Sequence, residues 1–188
     1  MHRKKKAGVP ILISDKIDFQ RRAIKRDPEG HFIILKGRLL QEDINIVNIY
    51  APNRGAPKYI KKILEDFKKV IDSNTIIVGD FNTSLSKMDS SSKQNINKDI
   101  VSLNNTLDEI ELTDTYRTFH PKEAKQTFFS NVHGIFSKVD HMIGHKASLN
   151  KFKKIEIISN FFSDHKGLKL QTNSKGKKPQ TLKIMETE

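Results

Sequence analysis

A succession in the middle of the chain limits its fold more than any other feature: a β-branched run, an amphipathic helix, then a short apolar strand. Ile44 to Tyr50 (INIVNIY) is dense in β-branched residues and reads as a central strand. From Pro57 to Ile71, the side chains of Ile60, Ile63, Leu64, Phe67, Val70 and Ile71 form one apolar stripe. Lys61, Lys62, Lys68 and Lys69 fall mostly off it, and Pro57 suits a first helical turn. Thr75 to Val78 then reads as a buried strand ending at Gly79. With strands dominant towards the end of the chain, this pattern predicts an α/β layered fold.

The flanking segments read less sharply. Gly8 to Ser14 (GVPILIS) predicts a strand, placed at a sheet edge by Pro10. Asp27-Pro28-Glu29-Gly30 is a turn signal, with strands expected around Ala23 to Lys25 and from His31 to Leu35. Thr83 to Asn95 is rich in Ser and Lys and reads as a loop. A second helix carries Ile100, Leu103, Leu107 and Ile110. Strands are expected at Val139 to Ile143, Phe152 to Ile158 and Leu168 to Leu170.

The 188 residues suit one domain, taken as 1–172, with a polar, lysine-rich tail over 173–188 expected to lack order. With 36% hydrophobic and 30% charged residues, the composition is that of a soluble globular chain. No run is apolar enough to span a membrane, and the basic N-terminus lacks a signal-peptide core and cleavage site. The absence of cysteine excludes disulfides and thiolate metal sites and fits a reducing compartment, so nucleus or cytoplasm is expected rather than secretion. The net charge of +12 attracts polyanions such as nucleic acid, although solvated lysines near the two ends account for much of it.

Three segments carry chemistry. In Ile76-Ile77-Val78-Gly79-Asp80-Phe81-Asn82, a strand end presents a carboxylate and a carboxamide two residues apart, so both can face one cavity. In Ser137-Lys138-Val139-Asp140-His141-Met142-Ile143, charged residues are embedded in an apolar strand, where a buried carboxylate needs a partner. Ser163-Asp164-His165 pairs a potential cation ligand with a potential proton shuttle. Each alone reads equally as ordinary structure: a turn, a loop cap with His141 on the solvent face, a polar loop. Together, Asp80, Asn82, Asp140, Asp164 and His165 supply what phosphodiester hydrolysis requires: a cation ligand, a base to align water and donors for developing charge. Oxygen ligands without cysteine favour Mg²⁺ or Mn²⁺ over Zn²⁺.

With Asn48-Ile49-Tyr50-Ala51-Pro52-Asn53, Gly79-Asp80-Phe81-Asn82-Thr83, Thr127-Phe128-Phe129-Ser130, Ser137-Lys138-Val139-Asp140-His141 and Ser163-Asp164-His165 in this order, the chain resembles the endonuclease/exonuclease/phosphatase superfamily. Within it, the sequence is most similar to the endonuclease domain of the LINE-1 retrotransposon second open reading frame. Tyr116-Arg117-Thr118 and the stretch near Ser92 also match, and the likeness runs from about Lys6 to Leu170. The resemblance implies two mixed β-sheets packed face to face with outer helices, a four-layer sandwich. It implies that Asp80 orients or deprotonates the attacking water, that Asn82 helps hold it and the phosphate, and that Asp164 lies near the metal. His165 would contact the scissile phosphate with its ring fixed by Asp140, and Tyr50 would touch the phosphate or leaving group. Thr127 and Ser163 would be lesser substrate contacts. The implied cofactor is Mg²⁺ or Mn²⁺, and the implied partner is double-stranded DNA, nicked at loosely specified T/A-rich sites. Family domains begin with a strand carrying an Asn and a segment carrying a metal-binding Glu. Neither is matched here, so an N-terminal truncation with reduced or lost activity is expected.

Two other readings remain open at this point: a non-enzymatic, basic nucleic-acid-binding remnant, and a phosphatase or lipid phosphodiesterase of the same superfamily.

Overall fold

A computed structural model describes residues 9–14, 17–39, 41–91, 96–130, 134–159, 165–173 and 181–184. It opens with an antiparallel meander of β1 (Phe19–Arg26), β2 (Phe32–Leu39) and β3 (Glu42–Ile49). The Asp27–Gly30 turn joins the first two. Gly30 takes a φ of 84°, and Asp27 accepts the His31 N–H on its carboxylate at 2.9 Å. Helix α1 (Ala56–Phe67) then carries the chain over to β4 (Thr75–Asp80), which pairs parallel to β3. A single-turn helix at Lys87–Asp89, α2 (Lys98–Glu109), β5 (Leu112–Asp114), α3 (Thr115–Phe119) and the β6 (Phe128–Ser130) and β7 (Ile135–Ser137) hairpin follow. The chain returns through β8 (Asp140–His145), β9 (Phe152–Ile158), β10 (Gly167–Thr172) and β11 (Thr181–Ile184).

Among the described residues the strands form a six-stranded sheet in the order β1-β2-β3-β4-β8-β5, a three-stranded sheet β11-β10-β9, and the β6-β7 hairpin. β4 is buried along its whole length because both faces of the large sheet are covered. On one face, Val47, Ile77 and Ile143 pack against Ile60, Leu64 and Phe67 of α1 and Leu103 and Leu107 of α2. On the other, Ile76, Val78 and Met142 meet Phe152, Ile155, Leu168 and Leu170 of the smaller sheet. Strand alternation thus sends successive residues of β4 and β8 into two different cores. The α/β class and the face-to-face sheets agree with expectation; the described residues supply three layers of the sandwich.

Some elements differ from the sequence reading. Helix α1 ends at Phe67, where the N–H groups of Val70 and Ile71 both donate to the Phe67 carbonyl. Asp72 then takes the Asn74 N–H and the Thr75 hydroxyl, each at 2.9 Å, turning the chain into β4 before the stripe can continue. Val9–Ser14 forms no strand. Pro10 has no N–H to give a ladder, and its carbonyl instead accepts from the Asn48 amide at 2.9 Å. Gly8 lies outside the described residues. Within the stretch expected to lack order from 173 onward, Thr181–Ile184 pairs antiparallel with β10.

Candidate active site

The antiparallel pairing of β4 with β8 sets Asp80 directly opposite Asp140. Both residues are buried, at 3% and 6% exposure. Gly79, just before Asp80, lets β4 lie close against β3 on its other side. Its φ is 126°, and a Cβ there would lie 2.1 Å from the Ile49 carbonyl oxygen and 2.6 Å from Asn48 Oδ1. Burial, and then the charge of Asp140, push the Asp80 carboxyl up to about 6, against the pull of an N–H···O bond from Asn82. That bond, Asn82 N–H to Asp80 Oδ1, is 2.7 Å long.

Asn82 holds a left-handed backbone conformation, φ 45°, which Asn tolerates better than most residues. Its side-chain amide donates to the Ala51 carbonyl at 2.8 Å, while the Ala51 N–H donates to the Asp80 carbonyl at 2.9 Å. The Tyr50-Ala51 segment is thereby tied to the Asp80 strand end. Tyr50 itself is half-buried, stacked on His31 with ring centroids 6.4 Å apart. His165 closes the group: its Nδ1 lies 3.1 and 3.0 Å from the two Asp140 oxygens, and its ring rests on Phe128 at 4.6 Å. A cleft of about 400 Å³ opens beside Asn82, lined also by Asn53, Ala56, Ser137 and Val139.

Residues from four separate stretches of chain therefore converge at one end of the sandwich. The sequence profile of the endonuclease-reverse transcriptase family matches residues 44–169, which carry the Tyr50, Asp80 and Asp140 segments and His165. The chain belongs to the endonuclease-reverse transcriptase family.

Solved structures share the fold of this chain. A 3′ phosphatase from Neisseria bound to product DNA hairpin superimposes with a TM-score of 0.65 at 15% identity, over 83% of this chain and 72% of that one. An AP endonuclease from Archaeoglobus fulgidus gives 0.59 at 18% identity, over 81% and 68%. The endonuclease domain of TRAS1, a telomere-specific non-LTR retrotransposon, gives 0.60 at 17% identity, over 80% and 65%. These likenesses show a shared fold.

The sequence-derived site of this family member is gathered unevenly. Asp80, Asn82, Asp140 and His165 are joined by contacts, and Tyr50 is tethered to them through its neighbour. Thr127 was expected against substrate but is fully buried, and its hydroxyl accepts the N–H groups of Val139 and Asp140 at 3.2 Å each. It supports the strand that carries Asp140. Ser163 and Asp164 lie outside the described residues. Among the described residues no three His, Asp or Glu side chains converge as metal ligands. His141, open in the sequence reading to a solvent-facing position, is fully buried. Beside it, Lys138, Asp114, Asp89 and Arg117 form an ionic cluster that motif reading missed. A lysine and a histidine three residues apart around an apolar strand start were its only signal.

Proposed function

We propose that this chain is a metal-dependent phosphodiesterase domain of the DNA endonuclease kind, of retrotransposon origin and LINE-1-like, which nicks double-stranded DNA. The observation that carries this reading is the Asp140–His165 pair set beside a buried Asp80 whose carboxyl is raised to about 6. Such a carboxyl is largely ionised at neutral pH yet basic enough to take a proton from water. Asp80 orients or deprotonates the attacking water, and Asn82 helps hold the water and the phosphate. The Asp140 carboxylate receives the Nδ1–H of His165, which fixes the ring and directs Nε2 towards the scissile phosphate. Tyr50 contacts the phosphate or the leaving group. Ser163 is a lesser substrate contact. Mg²⁺ or Mn²⁺, with Asp164 as a protein ligand, belongs to the same proposal.

A second reading, nucleic-acid binding without cleavage, is favoured by the net charge of +12.

Nicking of a supercoiled plasmid with Mg²⁺ or Mn²⁺, beside an Asp80→Ala/His165→Ala double variant and an EDTA control, separates the two. Nicking that needs the ion and vanishes in the variant supports the nuclease. A folded chain that retards DNA but leaves it supercoiled supports the binding-only reading.

A further inference from the structure

Behind the proposed site lies a set of buried charges that its chemistry does not use. Lys138 and His141 flank Asp140, and both are fully buried. The Lys138 ammonium donates to Asp114, and His141 Nδ1 lies 2.9 Å from Lys138 Nζ and 2.7 Å from the same Asp114 oxygen. Burial alone would raise the Asp114 carboxyl; Lys138, then His141, overcome it and hold that carboxyl well below the usual carboxylate range. Ionic clusters of this kind are weak sources of stability, since well-packed apolar side chains of similar volume often do as well. What the cluster offers is fixed direction.

That direction is set by His141. Its Nε2 lies 2.9 Å from the carbonyl oxygen of Thr83, which can only accept, so Nε2 carries the proton and donates. Thr83 follows Asn82 in the chain. Strand alternation sends Asp140 to one face of β8, where it holds His165, and His141 to the other, where it holds the peptide between Thr83 and Ser84, one residue beyond Asn82. One strand thus fixes the two halves of the site from opposite sides. Further along the same loop, the Asp89 carboxylate takes the N–H groups of Leu85 and Ser86, and the Asp89 carbonyl takes the Lys138 N–H at 2.6 Å.

We propose that His141 is a positioning residue: by donating to the Thr83 carbonyl, it sets Asn82 in register with the Asp140–His165 pair. The inference rests on the nuclease reading for its kinetic consequence but not for its structural one.

Two substitutions divide the imidazole. His141→Gln places an amide donor near the Nε2 position and keeps the reach to Thr83. His141→Asn places its amide near Nδ1, keeping the contact with Asp114 and Lys138 but not Thr83. A residue that only neutralises the cluster would tolerate Asn at least as well as Gln. The positioning role predicts the reverse. In plasmid nicking, H141N should lose about 10-fold or more in kcat with KM nearly unchanged, because small misplacements of reacting groups are costly, and H141Q should recover most of it. The backbone and side-chain amide resonances of Asn82 should move in H141N and return in H141Q. Folded H141N with wild-type kcat and Asn82 resonances overturns the proposal, as does H141Q performing no better than H141N. If H141N is too unstable to measure, H141Q decides alone: wild-type Asn82 resonances support the proposal and displaced ones overturn it. A wild-type chain that does not nick defeats the nuclease reading, and the Asn82 resonances then test His141 by themselves.

Discussion

Asp80 is held in its charged form at a cost to the folded state. Its carboxyl rises from 3.8 to about 6 on folding, so the native chain binds that proton more tightly than the unfolded chain does. Stability therefore falls as pH rises from about 4 to about 6, and the full penalty, at most about 3 kcal/mol, applies above that range. Asp80→Asn should remove it while keeping an oxygen to accept the Asn82 N–H. Thermal melts in EDTA should show the variant more stable than wild type at pH 7.5 and little different at pH 4, with nicking abolished. Equal melting shifts at both pH values would contradict a charge origin. At this scale the sequence was informative for side chains whose chemistry is costly to bury. Asp140 stands out for that reason and Asp80 as a carboxylate presented at a strand end, and the structure sets the two opposite each other. Thr127 and His141 were not legible, because a hydroxyl taking two N–H groups and an imidazole held by a distant Asp114 are relations between separate strands, with no local pattern to mark them.

At the scale of elements, β3 leaves no room for a side chain at Gly79 of β4. A methyl group there would collide with the Ile49 carbonyl, which is backbone and cannot swing aside, and the φ of 126° is one that L side chains rarely adopt. Gly79→Ala should cost at least about 2–3 kcal/mol, combining backbone strain with disruption of the strand pair. Urea unfolding monitored by circular dichroism checks this; a loss below about 1 kcal/mol would mean that the strands slide apart easily. The elements easiest to read were those with sustained patterns, the apolar stripe of α1 and the β-branched run of β3. The end of α1 was harder, since Asp72 stops it through bonds made beyond the stripe. The strand expected at Gly8 to Ser14 failed in its described part because an apolar run predicts burial, not a ladder partner, and Ile11 is packed on the core without one.

Across the whole molecule, charge sets the terms of any encounter with DNA. At a net charge of +12, and with Arg21, Arg22, Lys25 and Arg26 exposed along β1, much of the affinity should come from released counterions. Binding to a duplex oligonucleotide, measured between 50 and 200 mM salt, should weaken by about 10-fold or more, as counterion release at several phosphates requires. Affinity unchanged over that range would place the contacts elsewhere. The global arrangement was legible only through the order of the motifs. Nothing in the periodicity of β4 says that it pairs with β8; the shared chemistry of the Asp80 and Asp140 segments, and then the resemblance, brought them together before the structure did.

That pairing has an evolutionary consequence. The Asp80 and Asp140 ends are clamped side by side, and the chain between them leaves and rejoins the sheet at adjacent points. Lengthening a loop whose ends already meet costs little, because closure entropy grows only with the logarithm of its length. Descendants of this chain can therefore lengthen the exposed turns of that excursion, away from Asn82, Thr83, Thr127 and β5, while the Asp80–Asp140 pairing is inherited intact.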